Sequence, residues 1–180
     1  MVNTSLVVTV VGPDRPGLVS LLSDCAKGFG ANWAGSRMAS LAGQFAGIVH
    51  FEVSADGAEP LATALRSLES SGLRVVIAAS SSTIVVAEPR MVRLELVGND
   101  RPGIVSDLSA SLAELGVSIH ELETEIVSAP MSADRLFQVT ALLAVPKSVA
   151  DDALRGGLEA LANEMMVDIA IDDPTHATTS

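Results

Sequence analysis

Cysteine is nearly absent from this chain: Cys25 is the single one in 180 residues, and it lies among apolar neighbours. An internal disulfide is excluded and no zinc-ligand spacing of thiols exists, so a small buried hydrophobe is the reading its surroundings favour. Basic residues are scarce as well. Lys and Arg number 11 against 22 Asp and Glu, giving a net charge of −11 and a pI near 4.5. Such a chain is repelled by phosphate backbones, and no Lys/Arg cluster offers a local exception, which argues against direct nucleic-acid binding. No apolar run approaches ~18 uninterrupted residues, and the opening "MVNTSLVVTVVG" lacks a basic n-region and a cleavage-like site. The chain therefore reads as soluble and cytoplasmic, with no membrane partner. Nucleophile motifs, glycine-rich phosphate loops, paired catalytic carboxylates and HExxH are all missing. Neither an enzyme activity nor a cofactor nor a metal site is expected.

What the chain has in plenty is apolar residues, 48 % of the total, at a length that suits one ordinary domain or two small ones. It also has a repeat. "VVGPDRPGLVSLL" begins at Val10 and "LVGNDRPGIVSDL" at Leu96, so that Gly12 and Gly98 stand 86 residues apart. At the same offset Val11, Asp14, Arg15, Pro16, Gly17, Val19, Ser20, Leu22, Ser23 and Gly30 recur as Val97, Asp100, Arg101, Pro102, Gly103, Val105, Ser106, Leu108, Ser109 and Gly116. A unit of about 85 residues has been duplicated.

Each copy has the same rhythm. Leu6 to Val11 is a β-branched run that reads as a buried strand. A helical stripe follows, Leu18, Leu22, Cys25 and Phe29 in the first copy and Ile104, Leu108, Leu112 and Leu115 in the second, closed by Gly30 and Gly116. Two strands come next. "ANWAGSRMASL" turns through Ala42-Gly43-Gln44 into "FAGIVHFEV", and "VSIHELETEIV" runs through the longer "SAPMSAD" into "RLFQVTALLAV". A second helix is expected over Pro60 to Ser70 on Leu61, Leu65 and Leu68. Its counterpart runs from about Ser148 to Asn163 on Val149, Leu154, Leu158 and Leu161, weakened by Gly156-Gly157. The strands "LRVVIAA" and "MMVDIAI" close the copies. The order β-α-β-β-α-β, twice, predicts an α+β protein of two ferredoxin-like domains, each an antiparallel four-stranded sheet with both helices on one face. The expected division is 1–86 and 87–172, with the boundary at Ala87 to Arg90 and a disordered tail over 173–180.

Asp-Arg-Pro-Gly sits between first strand and first helix. Asp14 and Asp100 suit a helix cap, Pro16 and Pro102 its first turn, and the glycines a close approach of another group. A good helix start is one reading. The other is a receiver: helix N–H groups beside a bare glycine accept a carboxylate, and an adjacent aspartate pairs with an ammonium, which together suit a free α-amino acid.

The patterns "GPDRPG…S…GANW" and "GNDRPG…S…GVSI" resemble ACT domains, βαββαβ modules that sense amino acids, over about residues 4–79 and 91–172. "SRMASLAGQFAGIVHFEV" further resembles the first unit of the glycine cleavage system transcriptional repressor family, whose members are two ACT domains and little else. The resemblance implies a ligand held between two adjacent modules. It would contact Asp14 or Asp100, the polar residue opening the second strand (Asn32 or Ser118), and the backbone around Gly17-Leu18 and Gly103-Ile104. Many ligand-binding ACT domains carry asparagine where Asp14 and Asp100 stand, a departure that bears on ammonium recognition in both copies. Ser118 is a shorter donor than Asn32, so the two sites are expected to be unequal. The implied partners are a small amino acid, glycine or serine, and a regulatory protein such as a DNA-binding activator.

Other polar residues offer less. His50, His120 and His176 form no metal-ligand pair; His120 lies two residues from Ser118. Glu121, Glu123 and Glu125 alternate and share one strand face, either solvated or a contact for a basic partner. Arg37 and Met38 fall in the most family-like segment. The expectation is thus a non-enzymatic, amino-acid-responsive transcriptional regulator acting through protein contact. A regulatory subunit of a biosynthetic enzyme and a ligand-free scaffold are its rivals. Exposed sheet edges are open to a homodimer or to pairing of the two modules.

Overall fold

In the computed structural model the described residues are 3–79, 88–128 and 135–172. The chain divides into two compact units, each with its own sheet and core. The first holds β1 (Asn3–Pro13), α1 (Leu18–Gly28), β2 (Asn32–Leu41), β3 (Gln44–Ser54), α2 (Ala55–Ser67) and β4 (Arg74–Ala79). The second holds β5 (Arg90–Asn99), α3 (Ile104–Glu114), β6 (Ser118–Ser128), β7 (Arg135–Val145), α4 (Asp151–Met165) and β8 (Asp168–Asp172). The sheets run β2-β3-β1-β4 and β6-β7-β5-β8, antiparallel throughout. The expected α+β ferredoxin-like pair is present.

Period-two burial makes the strands and period-four burial the helices. Leu6, Val8 and Val10 of β1 face inward with Val49, Phe51 and Val53 of β3, and Leu18, Leu22 and Ala26 of α1 close over them. Leu94, Leu96, Val139, Leu143, Leu108 and Leu158 do the same in the second unit. Both helices of a unit cover one sheet face, the one whose alternating buried residues meet their apolar stripes.

Several boundaries differ from expectation. Helix α1 ends at Gly28, so Ala26 rather than Phe29 completes its stripe, and Phe29 is exposed at the C-cap. Cys25 is half-buried at the stripe's edge, and burial raises its thiol pKa. Helix α2 follows β3 without a loop, five residues before the expected start; Pro60 lies inside it, and Leu68–Ser71 tighten into a 3-10 turn. Helix α4 starts at Asp151 and extends through Met165, which is buried one turn beyond Leu161. Met166 takes the left-handed cap, so the closing strand begins at Asp168 rather than at Met165. Gly157 is explained by packing, since a Cβ there would lie 2.8 Å from Leu115 Cδ1. Met38 packs into the core over Gly47, whereas Arg37 points away from it. Most of the "SAPMSAD" loop, the tail over 173–180, and residues 80–87 leading to the expected boundary lie outside the described residues.

The β2–β3 hairpin closes on two residues, Ala42 (φ 50) and Gly43 (φ 77), the positive-φ pair that matches strand twist. An alanine pays about 1–2 kcal/mol for that conformation and glycine very little. Ala42→Gly is therefore expected to raise stability by about 1 kcal/mol in urea titrations read by Trp33 fluorescence; a loss of stability would contradict the turn assignment.

Candidate functional site

The first loop leaves β1 at Pro13, and the Asp14 N–H donates to the Gly43 carbonyl (2.9 Å), tying the loop to the β2–β3 turn. Arg15 reaches away from the helix and donates to the Ser71 carbonyl (3.0 Å). Asp14 does not cap α1 as expected, and Pro16 precedes the helix. Gly17 is the N-cap, at φ 92, and no side chain caps the helix. Asp14 lies three residues before that cap, outside the position from which a side chain reaches the first-turn N–H groups. Leu18 is buried and anchors the helix, so its contribution to a site is its N–H. The N–H groups that head α1 therefore face an open entrance. Nothing lies within 4 Å of where a Gly17 Cβ would stand, and the first turn carries no acidic residue. Such an end bears a partial positive charge that favours a carboxylate.

The second loop starts alike and finishes differently. The Asp100 N–H donates to the Arg135 carbonyl (3.0 Å), Gly103 is the N-cap at φ 97 in place of Asp100, and Ile104 is buried. Here, however, the Asp100 carboxylate is 3.7 Å from the Arg135 guanidinium. Arg101 folds onto the helix, donating to Asp107 Oδ2 (3.2 Å) and to the Pro102 carbonyl (3.3 Å). Asp107 already supplies a carboxylate to the first turn of α3. The entrance at Gly103 is thus furnished with its own ion pair, with Arg101 Nη1 and Asp107 Oδ2 both 3.8 Å from the Gly103 Cβ position. Asp107 is not among the residues the repeated phrase singles out. Its signal was present: Leu21 stands at the first copy's equivalent of Asp107.

The remaining two candidates lie elsewhere in their units. Asn32 opens β2 opposite Glu52, with Nδ2 3.5 Å from Glu52 Oε2. Asp14, by contrast, follows Pro13, which is opposite Gln44. Eight residues of β3 separate those levels, about 27 Å at strand rise. Ser118, opposite Ala144, is likewise eight residues along β7 from the Asn99–Leu136 level beside Asp100. Within one unit the structure groups Asp14, Gly17 and Leu18, and groups Asp100, Gly103 and Ile104, but brings neither Asn32 nor Ser118 to them.

A groove of about 710 Å³ runs between α3 and α4 from Arg101 and Asp107 to Leu115 and Gly157. Glu114 and Glu164 join Asp107 on its walls, a lining that repels a carboxylate. His120 is the extra residue of a β-bulge in β6, where Ala34 fills the same place in β2; both project from an edge strand near its start. His50 Nε2 is 2.7 Å from Ser5 Oγ, and Ser20 bonds Asp24 (3.4 Å). Among the described residues no group of three or more His, Cys, Asp or Glu side chains is arranged to hold a metal, and no helix is long and apolar enough to cross a membrane.

Two four-stranded antiparallel sheets, each backed by two helices and each entered through a glycine-headed helix, define a tandem of ferredoxin-like βαββαβ modules. The chain belongs to the ACT domain family, whose profile matches residues 4–77 and 90–172. It is similar in structure to a protein of unknown function from Galdieria sulphuraria, with a TM-score of 0.84 and 34 % identity over 96 % of this chain and 99 % of that one. It also shares its fold with a protein proposed to be a glycine cleavage system transcriptional repressor, at TM-score 0.70 and 19 % identity over 96 % and 98 % of the two chains. No curated protein matches it in sequence.

Proposed function

We propose that this tandem ACT protein is a non-catalytic, cytoplasmic regulator that responds to a small amino acid, glycine or serine, and acts by binding another protein. The observation that carries this reading is the contrast between the two helix entrances. The α1 entrance is open and free of acidic residues in its first turn, while the α3 entrance holds the Arg101–Asp107 pair. A ligand carboxylate seats on the N–H groups around Gly17 and Leu18, and the exposed Asp14 carboxylate pairs with its ammonium. Asp100, Gly103 and Ile104 keep the duplicated framework, but Arg135 and Asp107 occupy the charges a ligand needs. Asn32 and Ser118 reach a ligand only from a second ACT module, because each is a sheet length away from its own unit's entrance.

Regulation follows when the ligand binds one arrangement of modules better than another, thereby changing affinity for the partner. A DNA-binding activator is the partner class suggested by the family resemblance and by the shared fold with the proposed repressor. The net charge of −11 suits contact with protein rather than DNA.

Thermal unfolding against a panel of amino acids tests the reading. Glycine or serine is expected to raise the midpoint saturably, by the equivalent of about 2.7 kcal/mol at a hundredfold excess over Kd. Asp14→Ala abolishes the rise and Asp100→Ala leaves it intact. No response to any amino acid would leave a ligand-free scaffold, and equal losses in both variants would refute the asymmetry.

A further inference from the structure

The sheet faces turned away from the helices have diverged in opposite directions, although the helix-covered faces have not. In the first unit three rows cross this outer face: Gly35, His50, Val7 and Ala78; Arg37, Ile48, Thr9 and Val76; Ala39, Ala46, Val11 and Arg74. These three rows contain no carboxylate and carry the guanidinium groups of Arg37 and Arg74; the face's one carboxylate in these strands, Glu52, lies in the end row with Ser5 and Asn32, 3.5 Å from the Asn32 amide. Val11, Ile48 and Val76 are 39 %, 51 % and 67 % exposed on it, a cluster of large apolar side chains open to water.

The same rows in the second unit read Glu121, Leu142, Arg93 and Asp172; Glu123, Thr140, Glu95 and Ala170; Glu125, Gln138, Val97 and Asp168. Six carboxylates share that face with Arg93. At matched register positions Arg37 is replaced by Glu123 and Arg74 by Asp168. One face is apolar with cationic corners and the other is densely anionic. Their potentials are complementary, and each opposes a copy of itself: the anionic face by repulsion, the other by its two arginines.

We propose that the outer face of the first sheet in one chain docks on the outer face of the second sheet in a second copy of this chain. A closed twofold pairing repeats the contact, first face on second and second on first. Four strands at about 4.8 Å and about six residues of strand give each face about 380 Å². Two faces per chain come close to the ~800 Å² per partner of a standard stable interface. The contact would remove Val11, Ile48 and Val76 from water and set Arg37 and Arg74 among the carboxylates.

Sedimentation velocity on the full chain tests this with two charge-reversed variants, Arg37→Glu/Arg74→Glu and Glu95→Arg/Glu123→Arg/Glu125→Arg/Asp168→Arg, the latter leaving only Glu121 and Asp172 as carboxylates on the second face. Wild type is expected to be a dimer at micromolar concentration. Each variant alone pairs like charges at both contacts and should associate about a hundredfold or more weaker. Mixed together, the variants restore opposite charges at both contacts, and the dimer should return; that recovery also shows that both variants are folded. A monomeric wild type, a dimer indifferent to either reversal, or a mixture that stays monomeric would overturn the proposal. A dimer indifferent to reversal but abolished by proline in the β2 edge strand would assign the contact to the sheet edges instead.

Discussion

Phe51→Ala is expected to destabilise the first unit by about 3–5 kcal/mol, the range for a fully buried aromatic truncated where its surroundings only partly collapse. Phe51 is completely buried in the β1–β3 ladder, opposite Leu6 and Trp33. Its ring meets Trp33 edge to face, with centroids 5.3 Å apart and planes at 85°, a geometry that adds to the burial itself. The second unit fills the same place with Leu143 opposite Val92 and Ile119, aliphatic on all sides. Trp33 is the chain's single tryptophan, so its fluorescence reports the first unit alone. The denaturation midpoint by fluorescence should fall by the full amount. A cost under about 1 kcal/mol would show that Phe51 is not the centre of that core.

The second large effect concerns the glycine that opens the repeated phrase. A Cβ on Gly12 would lie 2.6 Å from the Gly72 carbonyl oxygen and 3.1 Å from Leu73 Cδ2, where the chain turns into β4. The obstacle is backbone, and Gly72 is itself at φ 83, so there is no rotamer change to relieve it. Gly12→Ala is expected to cost about 3 kcal/mol, the upper part of the overpacking range. Gly98 occupies the equivalent position, but there the added Cβ meets the Val167 side chain. Gly98→Ala should therefore be partly rescued by Val167→Ala, whereas Gly12→Ala should not be rescued by Leu73→Ala. Double-mutant cycles in urea denaturation measure the two couplings. Rescue at Gly12, or none at Gly98, would contradict the assigned contacts.

These glycines show how legibility divides. Fold and duplication were readable because they rest on periodicity: Leu6, Val8 and Val10 alternate, Leu18 and Leu22 recur, and Gly12 repeats at Gly98. The ends of elements were less so. Asp14 was expected to cap α1 because aspartate favours that place, but the left-handed Gly17 made itself the cap. The apolar run "MMVDIAI" puts Met165 in a strand, yet it is the last rung of the α4 stripe, and Met166 takes the turn. The stripe Leu61, Leu65 and Leu68 places a helix start at Pro60; α2 begins at Ala55 and absorbs the proline.

At the candidate site the residues around each entrance were legible from the repeat itself. The expected inequality of the two sites rests on Ser118 against Asn32, which lie far from their own entrances. The two entrances themselves differ through Arg101, Asp107 and Arg135, whose pairing depends on which way two arginines turn. Arg15 and Arg101 are the same residue in the same phrase, yet one goes to Ser71 and the other to Asp107. Sequence spacing does not choose between those directions. The local presence of Asp107 does.

The central claim is that the α1 entrance receives an amino-acid carboxylate and the α3 entrance does not. The most direct measurement is a titration of the full-length protein with glycine, and then serine, followed by amide nitrogen–proton correlation spectra. The account predicts saturable shifts at the Gly17, Leu18, Val19 and Ser20 amides, with Gly103, Ile104, Val105 and Ser106 unmoved by the same ligand. Saturable shifts confined to the second set, or equal in both, would contradict it, as would spectra unchanged by either amino acid.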